Sequence, residues 1–421
     1  MKTNIGLLSI GQTLFNLGIV LLISAPFIAS IFLIFSLLIS FSLKGTTLLN
    51  NKWNYPIFTC FGFAIISTLK NTNFSDQTLV ANSEIFISLL NWIPLLLIFV
   101  GINPFISSNY QKILFSKLII ISNIPLLISC FLQKNLEIYG PFSILNGLII
   151  WFQRSPGETT VSVTGLFNNP NYTGFSLSLI IPFILYNISL NKNKKFKKII
   201  TILILFLTIY YLFSTQSRNA LLNLYISFSL AFGIKIIFFT LLILIIGYPI
   251  STLIGTNLQF EYIFLLVKKN ILEYQRLEIW QNAISFISQR PLLGWGGATF
   301  SALYVLNNGL YKSQHSHNII FQIAQSYGIP CSILITTTMI LLIIKASKLV
   351  FDTKNQIDPI NKFWVISSIL VTFHQFFDIV LYEGRLNIIF CLIIAGSRTI
   401  LEGDNKNEDI SKSLISQKEY N

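Results

Sequence analysis

The sequence predicts an all-α integral membrane protein, with about twelve transmembrane helices and a long extracytoplasmic loop that contains amphipathic helices. Hydrophobic residues make up 53% of the 421 residues and charged residues only 11%, well below the roughly 25% that soluble domains carry. Apolar runs recur along the whole chain, each near the length that crosses a bilayer as a helix. These runs lack the alternation of polar and apolar residues that marks the strands of a membrane barrel. A helical bundle is therefore expected.

The predicted spans follow the apolar runs in chain order. The first run is too long for a signal peptide, and we interpret it as two spans divided near Pro26. Residues 1–400 then form one polytopic membrane domain, and the charged segment 401–421 forms a solvated cytoplasmic tail. The twelve spans lie near 6–24, 27–43, 55–69, 85–102, 114–132, 172–190, 199–213, 220–234, 236–254, 318–344, 363–381 and 386–400.

The orientation of the bundle follows from its basic residues, because lysine and arginine near span ends stay on the cytoplasmic side. The segment "NKNKKFKK", residues 191–198, holds five lysines and is predicted to be cytoplasmic. Both termini are then cytoplasmic, and the long segments 133–171 and 255–317 face the other side. The net charge of +13 needs no nucleic acid to explain it, because a membrane protein with positive inner loops is basic as a rule.

The outer loop 255–317 contains a predicted amphipathic helix that ends at Pro291 and could lie on the membrane surface. Arg276 lies away from its apolar stripe and could point into a cavity. The following "LLGWGG" supplies three glycines that suit a tight turn or a close backbone approach to a ligand. The apolar positions of this helix are Leu272, Ile279, Trp280, Ala283, Ile284 and Ile287.

Three arginines, Arg154, Arg218 and Arg276, fall on the predicted outer face. Any one of them could snorkel to lipid headgroups. Three arginines on the outer face are unexpected, because basic residues near span ends usually lie on the cytoplasmic side. Since a guanidinium binds phosphate through paired hydrogen bonds, they indicate an anionic, phosphorylated ligand outside the membrane.

Two of the chain's three histidines, His315 and His317, stand two residues apart where polar sequence gives way to apolar. They could be half of a zinc site, but zinc needs at least three protein ligands, and the further candidates His374, Asp378 and Glu383 show no supporting spacing. They could also be plain interfacial polar residues. The functional interpretation is that one of them accepts a proton from a hydroxyl nucleophile.

Two further patterns concern the ends of helices. His374 and Asp378 are four residues apart, and we expect them to pair with each other on one helical face. The segment "GLFNNPNYTG", residues 165–174, is typical of a loop that enters a helix, with Asn171 as a candidate cap. Its side-chain amides, on Asn169 and Asn171, are candidates to bind sugar hydroxyls.

The pattern "R…W…P-L-L-G-W-G…F…H-S-H-N…G-I-P", from Arg276 to Pro330, together with "GLFNNPNYTG" and "SRNALL", resembles the O-antigen ligase and O-antigen polymerase family of bacterial envelope glycosyltransferases. The resemblance covers about residues 150–345. In the ligase branch a His followed by Asn, Ser or Gln is separated by nine residues from a glycine, and two further residues separate this glycine from a Gly, Thr or Tyr. Here His317 and Asn318 precede Gly328, but Cys331 holds the final position, which leaves ligase and polymerase as alternatives.

The resemblance implies a donor glycan on undecaprenyl pyrophosphate and an acceptor that is either lipid A-core or a growing polysaccharide. It places the reaction at the outer face of the bacterial cytoplasmic membrane. It implies that His317 is the catalytic base, with no cofactor, metal or nucleic acid involved. The residues that we expect to bind the substrate are Arg218, Arg276, Arg154, Asn318, Asn169, Asn171 and His315.

Two other functions remain open at this point. A transporter of a small anion such as bicarbonate could use the outer arginines to gather its substrate. Transport, however, needs a polar route through the middle of the membrane, whereas this sequence concentrates its polar residues on one face. A non-catalytic scaffold of a glycan export complex is the third possibility, and it leaves the histidines unexplained.

Overall fold

The computed structural model describes residues 2–73, 80–155, 162–233, 271–307, 309–310, 313–352 and 357–419. The predicted span 236–254 lies outside the described residues, as do residues 255–270 of the outer loop and residues 156–161. Helices labelled α1 to α16 are those of the described part, and they occupy Lys2–Leu21, Pro26–Leu49, Tyr55–Asn73, Asn82–Ser88, Asn103–Ile106, Asn109–Ser122, Ile124–Asn135, Pro170–Leu190, Lys195–Ser214, Arg218–Phe232, Ile271–Gln289, Phe300–Leu306, Ile319–Tyr327, Ile329–Phe351, Pro359–His374 and Gly384–Glu419.

Seven helical segments of the described chain are long and apolar enough to cross a membrane. The protein is therefore an all-α integral membrane protein, as the composition predicts, while the number of twelve spans stays a prediction. The segments are Pro26–Leu49, Asn82–Phe99, Asn109–Asn135, Pro170–Leu190, Lys195–Ser214, Ile329–Phe351 and Gly384–Gly403, and Gly6–Leu21 is a shorter apolar helix.

Helices α8 and α16 form the centre of the bundle. The most apolar stretch of each is 83% buried inside the protein, whereas the corresponding stretches of α2 and α9 are only 28% and 22% buried. A helix that is apolar all round but little buried by protein presents most of its surface to lipid. Helices α8 and α10 approach each other closely at Gly174, which has no side chain. A Cβ atom added there would lie 2.8 Å from the Ala220 Cβ atom of α10.

The single span predicted over 318–344 is wrong, because the chain breaks at Gly328 into α13 and α14. Gly328 has φ +94°, and a Cβ there would lie 2.0 Å from the Leu292 carbonyl oxygen. The "LLGWGG" segment packs its backbone into this break: the Trp295 N–H donates to the Gln325 carbonyl at 2.8 Å, and the Gly296 N–H to that of Ser326 at 2.9 Å. Its glycines therefore serve tight turns and a close approach to protein backbone.

The predicted amphipathic helix is present as α11, and it ends at Gln289, two residues before Pro291. One face of it packs on protein, and its position on the membrane surface stays a prediction. Its Ile279, Ala283 and Phe286 form a second small core with residues of α12. Ile284, predicted on the apolar stripe, is exposed. Trp280 donates from Nε1 to the Ser316 carbonyl at 3.0 Å, which ties α11 to the histidine segment.

The described part of the segment after α7 is folded, as expected, but it includes a β-hairpin that the pattern did not predict. Strands β1 (Phe142–Ile144) and β2 (Ile149–Trp151) pair antiparallel. Gln153 holds the hairpin to α7, since its Oε1 atom accepts from Ser129 at 2.6 Å. At the other end of the chain, α16 continues without a break through Glu419, into the segment predicted as a tail.

Candidate active site

His317 lies in a bend between α12 and α13 and has φ +54°, in the left-handed region. Residues other than glycine rarely adopt this backbone conformation, and it persists only where surrounding hydrogen bonds stabilise it. Here the Ser316 N–H donates to Gln322 Oε1 at 2.9 Å, and the Ser316 hydroxyl donates to the Asn318 carbonyl at 2.9 Å. The bonds on both sides of His317 therefore hold its backbone, and with it the direction of its ring.

Asn318 joins this bend to the segment that follows α15. Its Oδ1 atom caps α13 by accepting from the Ile320 N–H at 2.9 Å, an N-cap of the usual kind. Its Nδ2 atom donates to the Phe376 carbonyl at 3.0 Å, and the Ile319 N–H donates to the Gln375 carbonyl at 2.9 Å. The amide of Asn318, predicted to bind substrate, is thus engaged in holding two segments together.

This junction brings Asp378 to His317. The Nδ1 atom of His317 lies 3.0 Å from Asp378 Oδ1, and the side chains are 30% and 4% exposed. The same oxygen accepts from the Ile379 N–H at 3.0 Å. A carboxylate on one ring nitrogen selects the tautomer and leaves Nε2 as the nitrogen available to a substrate.

The electrostatics of Asp378 favour its charged form. Burial on its own raises the pKa of this carboxyl, but the hydrogen bond from His317 and the nearby imidazoles of His315 and His374 lower it, and the net pKa lies below the ordinary value. Asp378 is therefore ionised at neutral pH and can stabilise a positive charge on its partner ring.

His315 packs its ring edge-on against His317, with centroids 4.3 Å apart, and stacks on Tyr382 at 5.8 Å. Its Nδ1 atom accepts from the His317 N–H at 3.3 Å. Burial lowers the pKa of His315 to about 4, helped by the charges of His317 and Arg276 and opposed by Asp378. His315 is therefore neutral at neutral pH, and its ring packs against that of His317 and restricts its position.

Two of the three predicted arginines belong to this cluster. Arg276 of α11 donates to the Phe377 carbonyl, next to Asp378. Burial lowers the pKa of Arg276, Arg218 repels it electrostatically, and Asp378 attracts it, so the three charges share one region. Arg218 is the first residue of α10 and is partly exposed. Arg154 is exposed at the end of the hairpin segment, and no contact joins its side chain to the cluster within the described residues.

The expected side-chain pair of His374 with Asp378 is not formed. Helix α15 ends at His374, so Asp378 does not follow on the same helical face, and it pairs with His317 instead. The Nδ1 atom of His374 lies 3.2 Å from Asn223 Nδ2, and its ring packs 4.5 Å from that of Phe175. His374 thus belongs to the bundle beneath the site.

The predicted asparagines of "GLFNNPNYTG" lie at the start of α8. The cap is Asn169, whose Oδ1 accepts from the Asn171 N–H at 2.9 Å, and not Asn171. Asn169 has the extended backbone of an N-cap, and Pro170 follows at the first helical position, where its missing N–H costs nothing. Both side chains are partly exposed.

A metal site has more geometric support than the spacing suggested, because the tertiary structure supplies a third ligand. One ligand atom each from His315, His317 and Asp378 lies within 4.8 Å of the others, and three protein ligands are the number that catalytic zinc requires. In the described geometry Nδ1 of His317 contacts Asp378 Oδ1, and Nδ1 of His315 accepts from the backbone N–H of His317. The nearby guanidiniums also oppose a divalent cation.

Asp378 is the residue of the site whose role the sequence analysis did not identify. It lies 61 residues from His317, and its only local signal was its spacing from His374, which pointed to the wrong partner. Tyr382, which stacks on His315, carried no signal.

A family model described as O-antigen ligase matches residues 177–336. The match extends from α8 into α14 and includes Arg218, Arg276 and the histidine pair. Asp378 lies beyond it. No match was found among curated proteins.

Proposed function

We propose that the chain transfers or polymerises glycan from an undecaprenyl-pyrophosphate donor onto an acceptor hydroxyl, and the match of residues 177–336 to the family model described as O-antigen ligase supports this. The observation that carries this proposal is the contact of His317 with Asp378 at 3.0 Å, beside Arg276 and Arg218. A base and cations for an anionic leaving group are the two chemical needs of such a transfer.

The proposed reaction is a substitution at the anomeric carbon of the donor sugar. The acceptor hydroxyl oxygen forms the new bond to that carbon, and the bond from the carbon to the pyrophosphate oxygen breaks. The hydroxyl proton passes to Nε2 of His317, while Asp378 holds Nδ1 and stabilises the imidazolium that forms. The pyrophosphate leaves with the electron pair of the broken bond, and Arg218 and Arg276 stabilise its charge.

The activated bond arrives with the donor, so this reaction needs no nucleotide, metal or other cofactor. We propose a metal-independent enzyme in which His315 supports His317. Arg154, Asn169 and Asn171, which lie toward the same end of α8 as the site, remain proposed contacts for the glycan. Asn318 is proposed to act through the position of His317.

We place the reaction at the outer face of the cytoplasmic membrane, with both termini in the cytoplasm. The support is the lysine-rich segment between α8 and α9 at the opposite end of α8 from the site. Cysteine labelling in intact cells tests this orientation: Ser155→Cys should react with an impermeant reagent, and Asn193→Cys should react only after lysis. Labelling of Asn193→Cys from outside would reverse the assignment.

The acceptor is either lipid A-core or a growing polysaccharide, and glycan analysis of a deletion strain separates the two. Uncapped lipid core with an accumulated lipid-linked donor indicates a ligase. Surface chains reduced to a single repeat indicate a polymerase. Unchanged glycan together with impaired bicarbonate uptake would replace the transferase by a transporter.

A further inference from the structure

A groove of about 360 Å³ lies beside the candidate site, between the start of α2, the β-hairpin and the start of α16. Its size falls within the roughly 300–1,000 Å³ typical of ligand pockets. The described walls are mostly apolar, with two charged residues at one end. The residues that carry the argument are Phe27, Leu148, Ile150, Phe152, Glu383 and Arg385.

The apolar side of the groove is continuous with the surface of a membrane span. Helix α2 is a candidate span of which only 28% of the most apolar stretch is buried by protein. Phe27 lines the groove and is exposed, and further along α2 the exposed apolar side chains continue with Ile31, Ile34, Phe35 and Leu38. Lipid covers such a surface in an integral membrane protein, so the groove opens toward hydrocarbon.

The hairpin wall points to the same environment. A two-stranded hairpin is marginal in water, yet this one exposes Ile144, Leu145, Leu148 and Ile150. The base of the hairpin is tied to the membrane helices, because Trp151 donates from Nε1 to the Ser24 carbonyl at 2.8 Å, just before α2. Tryptophan is enriched at this depth, where the polar and apolar parts of the bilayer meet.

The charged end of the groove does not suit a pyrophosphate. The Nε atom of Arg385 lies 2.6 Å from Glu383 Oε1, and its Nη1 donates to the carbonyls of Ile23 and Leu166 at 3.3 and 3.4 Å. Its guanidinium also stacks over the Phe167 ring at 4.1 Å. Arg385 is paired with a carboxylate, whereas Arg276 and Arg218 pair with no carboxylate at ion-pair distance in the described part.

One wall of the groove is adjacent in the chain to a residue that contacts the candidate site. Glu383 lines it, and the preceding residue, Tyr382, stacks on His315 at 5.8 Å. A molecule whose hydrocarbon chain lies against Phe27 and Ile150 can therefore place its polar head near His317. The donor pyrophosphate, by contrast, belongs with the unpaired arginines.

We propose that this groove binds the acyl chain of a glycolipid acceptor, as in the ligase alternative of the proposed function, and so delivers the acceptor hydroxyl to His317 along the membrane plane. The proposal rests on the proposed function, since it assigns the groove to the second substrate of that reaction. The donor's polyprenyl chain is the competing occupant, and the experiment separates the two.

Photo-crosslinking of the full-length protein in nanodiscs tests the groove directly. The probe is an acceptor glycolipid with a diazirine in its acyl chain, and cross-linked peptides are identified by mass spectrometry. Wild-type protein should be labelled on the peptides that hold Phe27, Leu148 and Phe152. Excess unlabelled glycolipid should suppress this labelling, and undecaprenyl phosphate should not.

Matched variants on the hairpin sharpen the test. Ile150→Trp fills the groove, whereas Ile144→Trp makes the same change on the paired strand, at a similarly exposed position (38% and 48%) that does not line the groove. Ile150→Trp should lose the cross-link and raise the KM for the glycolipid acceptor about tenfold, or roughly 1.4 kcal/mol, with the donor KM unchanged. Ile144→Trp should match the wild type in both.

Three results would overturn the proposal: wild-type labelling away from the groove, labelling suppressed by undecaprenyl phosphate, or equal labelling of the two variants. The cross-link does not depend on turnover. Labelled grooves in a protein that transfers no glycan would therefore reject the proposed function and leave a lipid-binding groove standing.

Discussion

The two ends of the bundle bury charged residues in opposite ways. At one end lies the candidate site, with His317, Asp378, Arg276 and Arg218. At the other end Arg398, near the middle of α16, lies among residues from several helices. The 14 residues of α16 between Gly384 and Arg398 separate the two regions by roughly 21 Å, at 1.5 Å per residue.

At the far end the buried arginine has a carboxylate partner, although its Nε and Nη2 atoms make no hydrogen bond within the described residues. Arg398 pairs with Glu402 at 3.3 Å and donates to Asn54 Oδ1 at 2.9 Å. Glu402 also accepts from Asn51 at 2.5 Å and from Asn103 at 2.6 Å. These bonds connect α16 with the segment before α3 and with α5. Their role is therefore to stabilise the fold.

At the site end the charged side chains are incompletely paired with groups of the protein. Arg276 contacts a backbone carbonyl, and His317 pairs with Asp378 through one nitrogen while 30% of its side chain stays exposed. A buried charge without a protein partner is costly, and such groups are kept where a ligand completes them. The contrast indicates that a buried charge with a carboxylate partner in the protein can serve the fold, whereas a charge without such a partner favours a ligand-binding role.

The largest expected effect is at His317. His317→Ala and His317→Gln remove the proton acceptor, so the transfer rate should fall by about 10² to 10⁴, the usual contribution of a general base. The measurement is the rate of glycan transfer by purified protein in nanodiscs, with donor binding measured separately and expected to persist. Full activity in His317→Ala with loss in His315→Ala would reject the assignment. Equal loss in both, with rescue by added zinc, would favour the metal site.

The next effect is at Asp378, and it is the sharpest test of the comparison. Asp378→Asn keeps the shape but loses the charge that orients His317, and the rate should fall about 100-fold, at the upper end for residues that support a ligand or base. The matched change at the far end is Glu402→Gln, which should lower the thermal unfolding midpoint and leave the rate per folded molecule unchanged. A large loss of rate in Glu402→Gln would show that the two ends are not independent.

A smaller effect is expected for arginine-to-lysine changes. Arg276→Lys keeps the charge and loses the paired donor geometry, so the rate should fall about tenfold with the fold intact. Arg398→Lys should instead reduce stability, because it breaks the contacts to Asn54 and Glu402. Transfer assays and unfolding curves for the two proteins check this. Normal rates in Arg276→Lys would favour a lipid-headgroup role for that arginine.

The smallest effect is the pH dependence of stability due to His315. Its pKa is about 4 in the folded protein, against 6.5 as the ordinary value. As pH falls from about 6.5 to about 4, the unfolded chain binds a proton that the folded chain excludes, so this histidine lowers stability across that window and contributes nothing above it. The unfolding midpoint of the wild type should therefore drop more between neutral and mildly acidic pH than that of His315→Gln. Parallel curves would show that the His315 ring is solvated.

The sequence by itself determined the membrane class and the family resemblance. Composition and the length of apolar runs are local properties, and a bilayer permits only structures that satisfy their own backbone hydrogen bonds. The amphipathic helix α11 and its end near Pro291 could likewise be predicted, because both depend on residues close together in the sequence. The motif from Arg276 to Pro330 could be recognised because its residues lie within one stretch of chain.

Only the tertiary structure decided which groups meet. His317 finds Asp378 across 61 residues, since the end of α15 at His374 turns Asp378 off the helix and toward the bend that Asn318 caps. The break at Gly328, the apolar hairpin and its groove arise in the same way, from backbone hydrogen bonds between distant segments. Periodicity describes one helix at a time, and contacts between separate elements depend on packing that no single stretch of sequence encodes.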